Sequence, residues 1–318
     1  MDLLESDILK PAIISTIIIT NIVLNSTVIA VILRYPQLRE DRTTLFMFSL
    51  TLSDLASGCT TMPISAAVCS KATPQVRYLV PVLPMVQEIS SSWFAFVSLH
   101  SLCWVTVCKM VAITKPLRYA QLLTRKRCYA IIIVTWFIGA LFAISMSYLA
   151  VGWDMDSCFF NSNNSTTSTG HNEITESAFV IGFIIFGWAM PVSAILYSTT
   201  KIFRAVIRAH VQIAAQLNSM GGNISTAGHT HSTAMHSLRS GKNVLVICVV
   251  VLILTVPSSI SLTVIAIEQE DRMPNWYKFA ATWIFMSNYT SNSFLYLVLF
   301  RSVRKKTKEM FSGLCQCC

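Results

Sequence analysis

Asp54 is a carboxylic acid in the middle of a long apolar stretch, within the run S-L-T-L-S-D-L-A-S. An ionised carboxylate in such surroundings is costly unless other groups pair with it, so an acid at this place favours a functional role. Four more polar side chains lie at similar depth in their own apolar stretches: Asn25, Ser98, Asn288 and Asn292. Carboxylate, hydroxyl and amide oxygens are ligands of hard cations. We call these five residues the polar core. They predict a hydrated, ion-binding centre; the alternative is a set of hydrogen bonds that only join helices.

Seven apolar stretches must position these groups. Each can form a helix of about 20 residues, which is the length that crosses the hydrocarbon core of a membrane. The stretches run over residues 12–33, 43–68, 82–107, 129–150, 178–200, 243–267 and 279–300. At 318 residues and 53% hydrophobic content, the chain has little left for a separate soluble domain. The sequence therefore predicts an all-α protein with one domain over residues 1–318, a seven-transmembrane helix bundle.

Basic residues fall almost entirely on one side of the predicted membrane. Nineteen of the 24 lysines and arginines follow stretches one, three, five and seven, and we call this side inner and the opposite side outer. The exceptions are Lys10, Lys71, Arg77, Arg272 and Lys278. The positive-inside rule predicts that residues 1–11 are extracellular and that the carboxyl terminus is cytoplasmic. The net charge of +9 then indicates anionic lipids and an acidic partner, not nucleic acid.

Two long polar segments connect the stretches. The outer one, residues 151–177, contains N-N-S-T, which gives overlapping glycosylation sequons at Asn163 and Asn164. The inner one, residues 209–241, is rich in Gly, Ser, Thr, His and Asn and is predicted to be a flexible third cytoplasmic loop. Its histidines have irregular spacing, so solvated side chains are favoured over a metal site.

The chain ends in a basic segment, residues 301–318. Phe300, Val303, Thr307 and Phe311 share one helical face and basic residues occupy the other, which predicts a short amphipathic eighth helix on the inner leaflet. Three cysteines follow, at Cys315, Cys317 and Cys318. This context predicts palmitoylation; the alternative is free cytosolic thiols.

A series of motifs, in order and at fitting spacings, resembles those of the rhodopsin-like (class A) G-protein-coupled receptors. They are Asn25 in L-N-S-T-V-I, Asp54 in L-x-x-x-D, Trp136 in stretch four, Pro191 and Pro257 in stretches five and six, and Asn292 to Tyr296 in N-S-F-L-Y. The run C-K-M-V-A-I-T-K-P-L-R-Y, residues 108–119, is similar to the D-R-Y-x-A-I-x-x-P-L-x-Y junction of amine-type and related receptors. The resemblance implies that Asp54, Ser98, Asn288 and Asn292 line a pocket for an allosteric sodium ion. No other cofactor is expected.

The chain departs from the family pattern at its inner end. Cys108, Lys109 and Met110 replace D-R-Y, so a positive charge remains without its neighbouring acid and without the planar fork of arginine. The predicted start of helix six brings no acidic partner either, so the family's ionic latch cannot form and basal activity is expected to be raised. Thr255 replaces the aromatic residue of C-W-x-P, and Ser293 replaces the proline of N-P-x-x-Y.

The outer half departs as well. Ser91 stands where amine receptors place their ligand-binding aspartate, and Met286 stands where opsins place their retinal-binding lysine. The resemblance therefore supports neither retinal nor an amine held in the usual way. It implies that Glu88, Ser91, Ser92, Phe183 and Met286 face the pocket for a small-molecule or peptide ligand. Glu88, one turn outward from Ser91, can anchor a cation there; the alternative is a solvated acid at the mouth of the helix.

Two cysteines are expected at the outer surface, where disulfides form. They are Cys69 and Cys158. Because Pro84 occupies the place of the family's helix-three cysteine, Cys158 either pairs with Cys69 or stays free.

The resemblance implies a receptor that passes an extracellular ligand signal to a heterotrimeric G protein. Coupling would use Cys108, Lys109, Met110, Thr199 and Tyr296, which line or border an inner cleft. The altered motifs favour an alternative, a non-signalling decoy, scavenger or heteromer partner. A transporter or channel fits poorly because no inverted repeat with broken helices is evident. No nucleophile–base or metal-ligand constellation indicates an enzyme.

Overall fold

The structure is a computed structural model that describes residues 9–68, 83–150, 182–219 and 275–315, together with residues 243, 246–247, 249–250 and 253–254. Within these ranges the chain is helical apart from short turns, and it contains no strand. The helices are α1 (Leu9–Arg34), α2 (Pro36–Glu40), α3 (Arg42–Cys59), α4 (Thr61–Val68), α5 (Leu83–Thr114), α6 (Pro116–Leu122), α7 (Arg125–Ala150), a π-helix (Phe183–Ala189), α8 (Met190–Ser219), α9 (Asn275–Leu299) and α10 (Arg301–Cys315).

Three of the described helices are long and apolar enough to cross a membrane by length and composition alone. They contain the segments Ala12–Arg34, Met85–Thr114 and Arg125–Ser145. The last of these leaves large apolar side chains uncovered by protein, among them Ile133 and Phe137, with 67% and 64% of their surface exposed. Such a surface is stable only against an apolar solvent, so the helices have the properties that a lipid environment requires.

The second predicted stretch is two helices and not one. α3 ends at Cys59, and after a turn at Thr60 the chain continues as α4. Pro63 gives the physical reason, because it has no N–H to donate to the carbonyl of Cys59 and its ring crowds that carbonyl. The break lies outward of Asp54, so α3 alone positions the acid.

The fifth stretch differs from a regular helix at both of its ends. It begins as a π-helix, which gives way to α8 beside Pro191, a residue that cannot bond back to the carbonyl of Gly187. α8 then continues to Ser219, so the beginning of the segment 209–241, predicted to be a flexible loop, is helical. The reason is local composition, since Ala, Gln, Ile and Leu in this part favour helix.

α5 lies at the centre of the described bundle. It packs against α3, α4, α7 and α8, while α1 packs against α3 and α9. Trp136 connects α7 to two other helices. Its Nε1 donates to Ser49 Oγ of α3 at 3.0 Å, and Ser49 Oγ lies 3.1 Å from Ser101 Oγ of α5. Trp93 Nε1 of α5 donates back to the Trp136 carbonyl at 3.0 Å. A Cβ at Gly139 would lie 3.0 Å from the Phe96 ring, so glycine allows α7 and α5 to approach this closely.

Short helices and α10 shape the inner side. Asp41 caps α3, since its carboxylate accepts from Thr43 N at 3.4 Å and from Thr44 Oγ1 at 3.2 Å. α10 buries Val303 and leaves most of its basic residues exposed. The predicted amphipathic helix is therefore present, and it ends at Cys315.

Candidate functional site

Asp54 is fully buried and bonded on both carboxylate oxygens. Ser98 Oγ of α5 donates to Oδ1 at 2.8 Å, and Asn292 Nδ2 of α9 donates to Oδ2 at 2.9 Å. Three helices, α3, α5 and α9, thus meet at one acid. The structure brings these residues together as the sequence predicts, and a buried acid with so few donors needs either a proton or a cation.

Asn25 belongs to the same region but does not bond Asp54. Its Nδ2 donates to the carbonyls of Asn21 at 2.9 Å and Tyr289 at 3.1 Å, and its Oδ1 accepts from Ser293 Oγ at 2.6 Å. α1 is therefore tied to α9 beside the acid. The sequence showed Ser293 only as a departure from the family motif. In the structure its hydroxyl makes the bond to Asn25, which the family's proline, having no hydroxyl, could not make.

Two amide oxygens in the polar core have no donor among the described residues. Asn292 Oδ1 is one, and Asn288 Oδ1, one turn outward along α9, is the other. Both atoms are buried. A carboxylate with two amide oxygens and a serine hydroxyl is a suitable donor set for a hard monovalent cation, and it leaves positions for water ligands.

The outer part of α5 carries the predicted ligand-pocket residues. Ser92 Oγ donates to Glu88 Oε1 at 3.3 Å, and Ser91 Oγ donates to the Glu88 carbonyl at 3.1 Å. Glu88 is partly buried, and within the described part of the chain Ser92 is the one side chain that bonds its carboxylate. No described lysine or arginine forms an ion pair with it.

Met286 lies in an apolar cluster. It is buried with Met62, Trp283 and Tyr289, and Ala95 of α5 packs against the edge of the cluster. Phe183 begins the π-helix, and its side chain lies outside what the structure describes. Of the five predicted pocket residues, the structure brings together Glu88, Ser91 and Ser92.

At the inner end, Lys109 contacts an aromatic ring instead of an acid. Its Nζ lies 5.6 Å from the centre of the Phe300 ring, which is within the range of a cation–π contact. That ring meets Tyr296 edge-on, with centroids 5.5 Å apart and an interplanar angle of 84°. A contact from α5 to the α9–α10 junction therefore stands where the family has an ionic latch. Phe300 was predicted only as part of the amphipathic face.

Asn243, at the inner end of the sixth stretch, reaches the same junction. Its Nδ2 donates to the Leu299 carbonyl at 2.6 Å. Cys108 and Tyr296 are fully buried, Thr199 is buried, and Met110 is half-buried against the core. These four predicted coupling residues are therefore covered, wholly or in part, by the described helices. Nothing in the sequence motifs singled out Asn243.

Other predicted residues lie outside the described part of the chain. They are Cys69, Thr255, Pro257, Cys158, Asn163, Asn164, Cys317 and Cys318. Cys315 ends α10, with its side chain not described. Within the described residues, no group of three or more His, Cys, Asp or Glu side chains could hold a metal ion.

Comparison with known proteins identifies the family of this bundle. A family model described as 7 transmembrane receptor (rhodopsin family) matches residues 24–296. The chain belongs to this receptor family. The predicted seven-helix fold is confirmed, and the receptor is a multi-pass protein of the plasma membrane.

The relatives with similar sequences include trace amine-associated receptors and dopamine receptors. The receptor is 22% identical over 289 residues to trace amine-associated receptor 8b of Rattus norvegicus, an alignment that covers 91% of this chain and 82% of the relative. It is 23% identical over 269 residues to trace amine-associated receptor 8c of Mus musculus, covering 79% and 77%. It is 25% identical over 202 residues to the D(1A) dopamine receptor of Xenopus laevis, covering 60% and 42%.

These relatives decide between the two predicted functions. They are signalling receptors, so the prediction of a G-protein-coupled receptor is confirmed and the decoy, scavenger or partner-subunit alternative is not favoured. The family is a receptor family and not an enzyme family.

Proposed function

We propose that this receptor binds an extracellular organic cation, with Glu88 as the counter-ion, and transmits the signal to a heterotrimeric G protein. The observation that carries the proposal is the Glu88 carboxylate, partly buried near the outer end of α5 with Ser92 as its one described hydrogen-bond donor. A carboxylate in partly apolar surroundings gains most from a cationic partner. Names of the relatives, which include a trace amine and dopamine, support the same class of ligand.

The position of Glu88 supports a counter-ion for the ligand that lies further outward than residue 91. Ser91 supplies no charge, and its hydroxyl is occupied by the Glu88 carbonyl at 3.1 Å. Glu88 lies three residues earlier on the same helix, so its carboxylate sits about 5 Å outward along the axis. A cation held there would reach less deeply into the bundle than one held at residue 91.

The polar core supports a bound sodium ion as an allosteric ligand. Asp54, Ser98, Asn288 and Asn292 supply oxygens from three helices, and two of the amide oxygens have no other donor among the described residues. A sodium ion there would neutralise the acid and favour the packed arrangement of α3, α5 and α9. A ligand that favours the opposite arrangement would weaken sodium binding, because coupling between two sites is reciprocal.

The inner face supports coupling to a G protein through Lys109. In this proposal the amino terminus is extracellular and the basic loops face the cytoplasm, where the G protein binds. Opening the cleft would release Lys109 from Phe300 and make its ammonium available to the G protein. A lysine donates hydrogen bonds without the bidentate geometry of arginine, so each contact would be weaker.

Paired ligands test the cation site. Cells expressing the receptor with a G-protein recruitment sensor are exposed to dopamine and to a panel of aryl-alkyl amines, each beside its neutral alcohol analogue. We expect responses to amines alone, lost in Glu88→Gln and largely kept in Glu88→Asp. In the double variant Glu88→Gln/Ser91→Asp the response should return, since the carboxylate is restored one turn inward.

Glu40→Gln is the matched control, because Glu40 is an exposed acid on the inner side. It should leave the response unchanged. An amine response that survives Glu88→Gln at equal surface expression would contradict the role of Glu88. A panel in which neutral analogues act as strongly as amines would contradict a cationic ligand.

A further inference from the structure

Asn25 of α1 bonds α9 at two successive turns. Its Nδ2 donates to the Tyr289 carbonyl at 3.1 Å, and its Oδ1 accepts from Ser293 Oγ at 2.6 Å. Tyr289 and Ser293 are four residues apart, so they lie one above the other on the same face of α9. A further bond from Asn25 Nδ2 to the Asn21 carbonyl, at 2.9 Å, holds the amide against its own helix. Both ends of the amide are therefore bonded, and it cannot turn without breaking a bond.

Asn292 lies next to Ser293 in the chain but bonds a different helix. Successive residues of an α-helix point about 100° apart around its axis. Accordingly, Asn292 Nδ2 donates to Asp54 Oδ2 of α3 at 2.9 Å, whereas Ser293 bonds α1. Each of these residues, and Asn25 as well, has no more than 1% of its surface exposed, so bulk solvent does not reach the bonds. Two consecutive residues thus hold α9 against two neighbouring helices at one level of the bundle.

The bond between Asn292 and Asp54 depends on how α9 is rotated about its own axis. An atom at the surface of a helix is about 5–6 Å from the axis, so a rotation of about 10° moves it by about 1 Å. Such a displacement takes a bond of 2.9 Å beyond the usual limit of about 3.2 Å. The bond from Ser293 to Asn25 opposes this rotation independently of Asp54, because it joins α9 to α1.

We infer that Ser293 is a positioning residue, whose bond to Asn25 holds Asn292 against Asp54 and so maintains the cation site of the polar core. The role at Asp54 follows from the bonds, and the role in the cation site rests on the proposed binding of sodium. A proline at residue 293, as in the family motif, has no hydroxyl and could not make the bond to Asn25. Dependence of the polar core on α1 through this hydroxyl is therefore a feature of this chain and not of the family motif.

A double-mutant cycle on the purified, intact receptor in choline chloride tests the positioning without sodium. Ser293→Ala and Asn292→Ala should each lower the melting temperature. The double variant should lose about a third less than the sum of the two losses, because Ser293 then has nothing left to position. Ser291→Ala is the matched control: Ser291 also adjoins Asn292, but its hydroxyl bonds the Ser287 carbonyl of its own helix at 2.9 Å, so its cycle with Asn292→Ala should be additive. Additive losses for Ser293 and Asn292, or equal coupling for Ser291, would overturn the inference.

Sodium titration supplies a second readout, which a purely structural role of Ser293 would not change. NaCl replaces choline chloride at constant ionic strength, and the sodium concentration that gives half of the stabilisation is measured. In Ser293→Ala this concentration should rise about fivefold, the factor by which the loss of one buried hydrogen bond typically changes an equilibrium constant. It should rise less in Ser293→Cys, whose thiol is a weaker donor of similar shape, and stay unchanged in Ser291→Ala.

The two readouts separate the positioning role from the sodium site. If the native receptor responds to sodium and the half-maximal concentration is the same in both Ser293 variants, the inference is wrong. If the native receptor does not respond to sodium, the proposed sodium site is wrong, and the double-mutant cycle alone decides whether Ser293 positions Asn292. Ser293→Cys takes the place of Ser293→Ala in the cycle if the alanine variant does not fold.

Discussion

The first prediction for a single residue concerns Asp54 and the binding of sodium. If sodium binds the polar core, the thermal stability of the receptor should rise with NaCl relative to choline chloride. At a sodium concentration tenfold above its dissociation constant the gain is about 1.4 kcal/mol, which corresponds to a few degrees. Asp54→Asn should abolish this dependence, whereas Asp41→Asn, which alters only a helix cap, should keep it. If the native receptor melts at the same temperature in both salts, the polar core does not bind sodium and its role is structural.

The second prediction concerns Phe300. Its ring contacts Lys109 at 5.6 Å, and a cation–π contact of this kind contributes about 1 kcal/mol. Removing the ring should shift a two-state equilibrium toward the open form by about fivefold. We therefore expect Phe300→Leu to raise basal second-messenger output at equal surface expression, and Phe300→Tyr to leave it near the native level. Unchanged basal output in Phe300→Leu would show that the contact does not hold the closed form.

The same contact bears on the expected high basal activity. The ionic latch is absent, but Lys109 and Asn243 both reach the α9–α10 junction, which restrains the inner end in another way. Raised basal activity stays a prediction, and comparison with Cys108→Asp/Lys109→Arg tests it. Native output at background, with signalling only in the double variant, would indicate a receptor that lost coupling.

The motifs located most of the polar core because intramembrane polar residues are rare and their spacing is informative. Asp54, Ser98 and Asn292 were predicted and are bonded together. Phe300 and Asn243 were not predicted as partners in a latch, because an aromatic ring and a backbone carbonyl carry no motif. Such contacts depend on where two helix ends meet, and spacing along one chain does not define that distance.

α9 provides a prediction at the scale of elements. Without the family's proline it runs as a continuous helix from Asn275 to Leu299. Ser293→Ala leaves Asn25 Oδ1 without its donor, at a cost of about 1–3 kcal/mol. Ser293→Pro removes the same hydroxyl and also bends the helix, so it should lower the melting temperature further. Ser291→Ala, whose hydroxyl bonds only its own helix, serves as control and should change little. A Ser293→Ala variant as stable as the native receptor would show that the bond to Asn25 contributes nothing.

Helix ends were harder to predict than helices. Pro63 explains the break between α3 and α4, and Pro191 explains the change from π-helix to α8. The hydropathy of each stretch does not show such breaks, since both sides are apolar. The extension of α8 to Ser219 was not predicted, because its polar residues were taken as typical of a loop. Polar residues that alternate with apolar ones at helical spacing also form amphipathic helices.

The whole molecule has an orientation that glycosylation can test. Asn163 or Asn164 should carry glycan, because their segment combines sequons with a predicted outer location. Treatment with a glycosidase should increase the mobility of the receptor from cells, and replacing both asparagines by glutamine should remove that shift. A shift that persists in the double variant would place the acceptor elsewhere.

A disulfide is also predicted at the outer surface. Cys69 and Cys158 should be joined, which requires their Cα atoms to lie within about 7 Å. Peptide mapping under non-reducing conditions should recover the two peptides linked. Recovery of both as free thiols would remove the bridge.

Fold and family were readable from the chain because a membrane imposes strict rules. Helix length, apolar content and the side of the basic residues define seven segments and their direction without any knowledge of packing. The burial of Cys108 and Tyr296 could not be predicted from the sequence, and neither could the position of Met286 in an apolar cluster. Both depend on how helices rotate about their axes, which many side chains decide together.

Trp136 joins α7 to α3 and α5 through two indole contacts and a pair of serines, and Gly139 brings α7 against α5. These three helices form a single mechanical unit, because no one of them can rotate without breaking a bond to another. A ligand held at Glu88 on α5 would therefore act on all three helices together. Asn292 ties α9 to the same unit through Asp54, whereas Lys109 to Phe300 and Asn243 to Leu299 are isolated contacts at the inner ends of their helices. We therefore expect a ligand-induced displacement to be largest at this inner end, where the fewest contacts have to break.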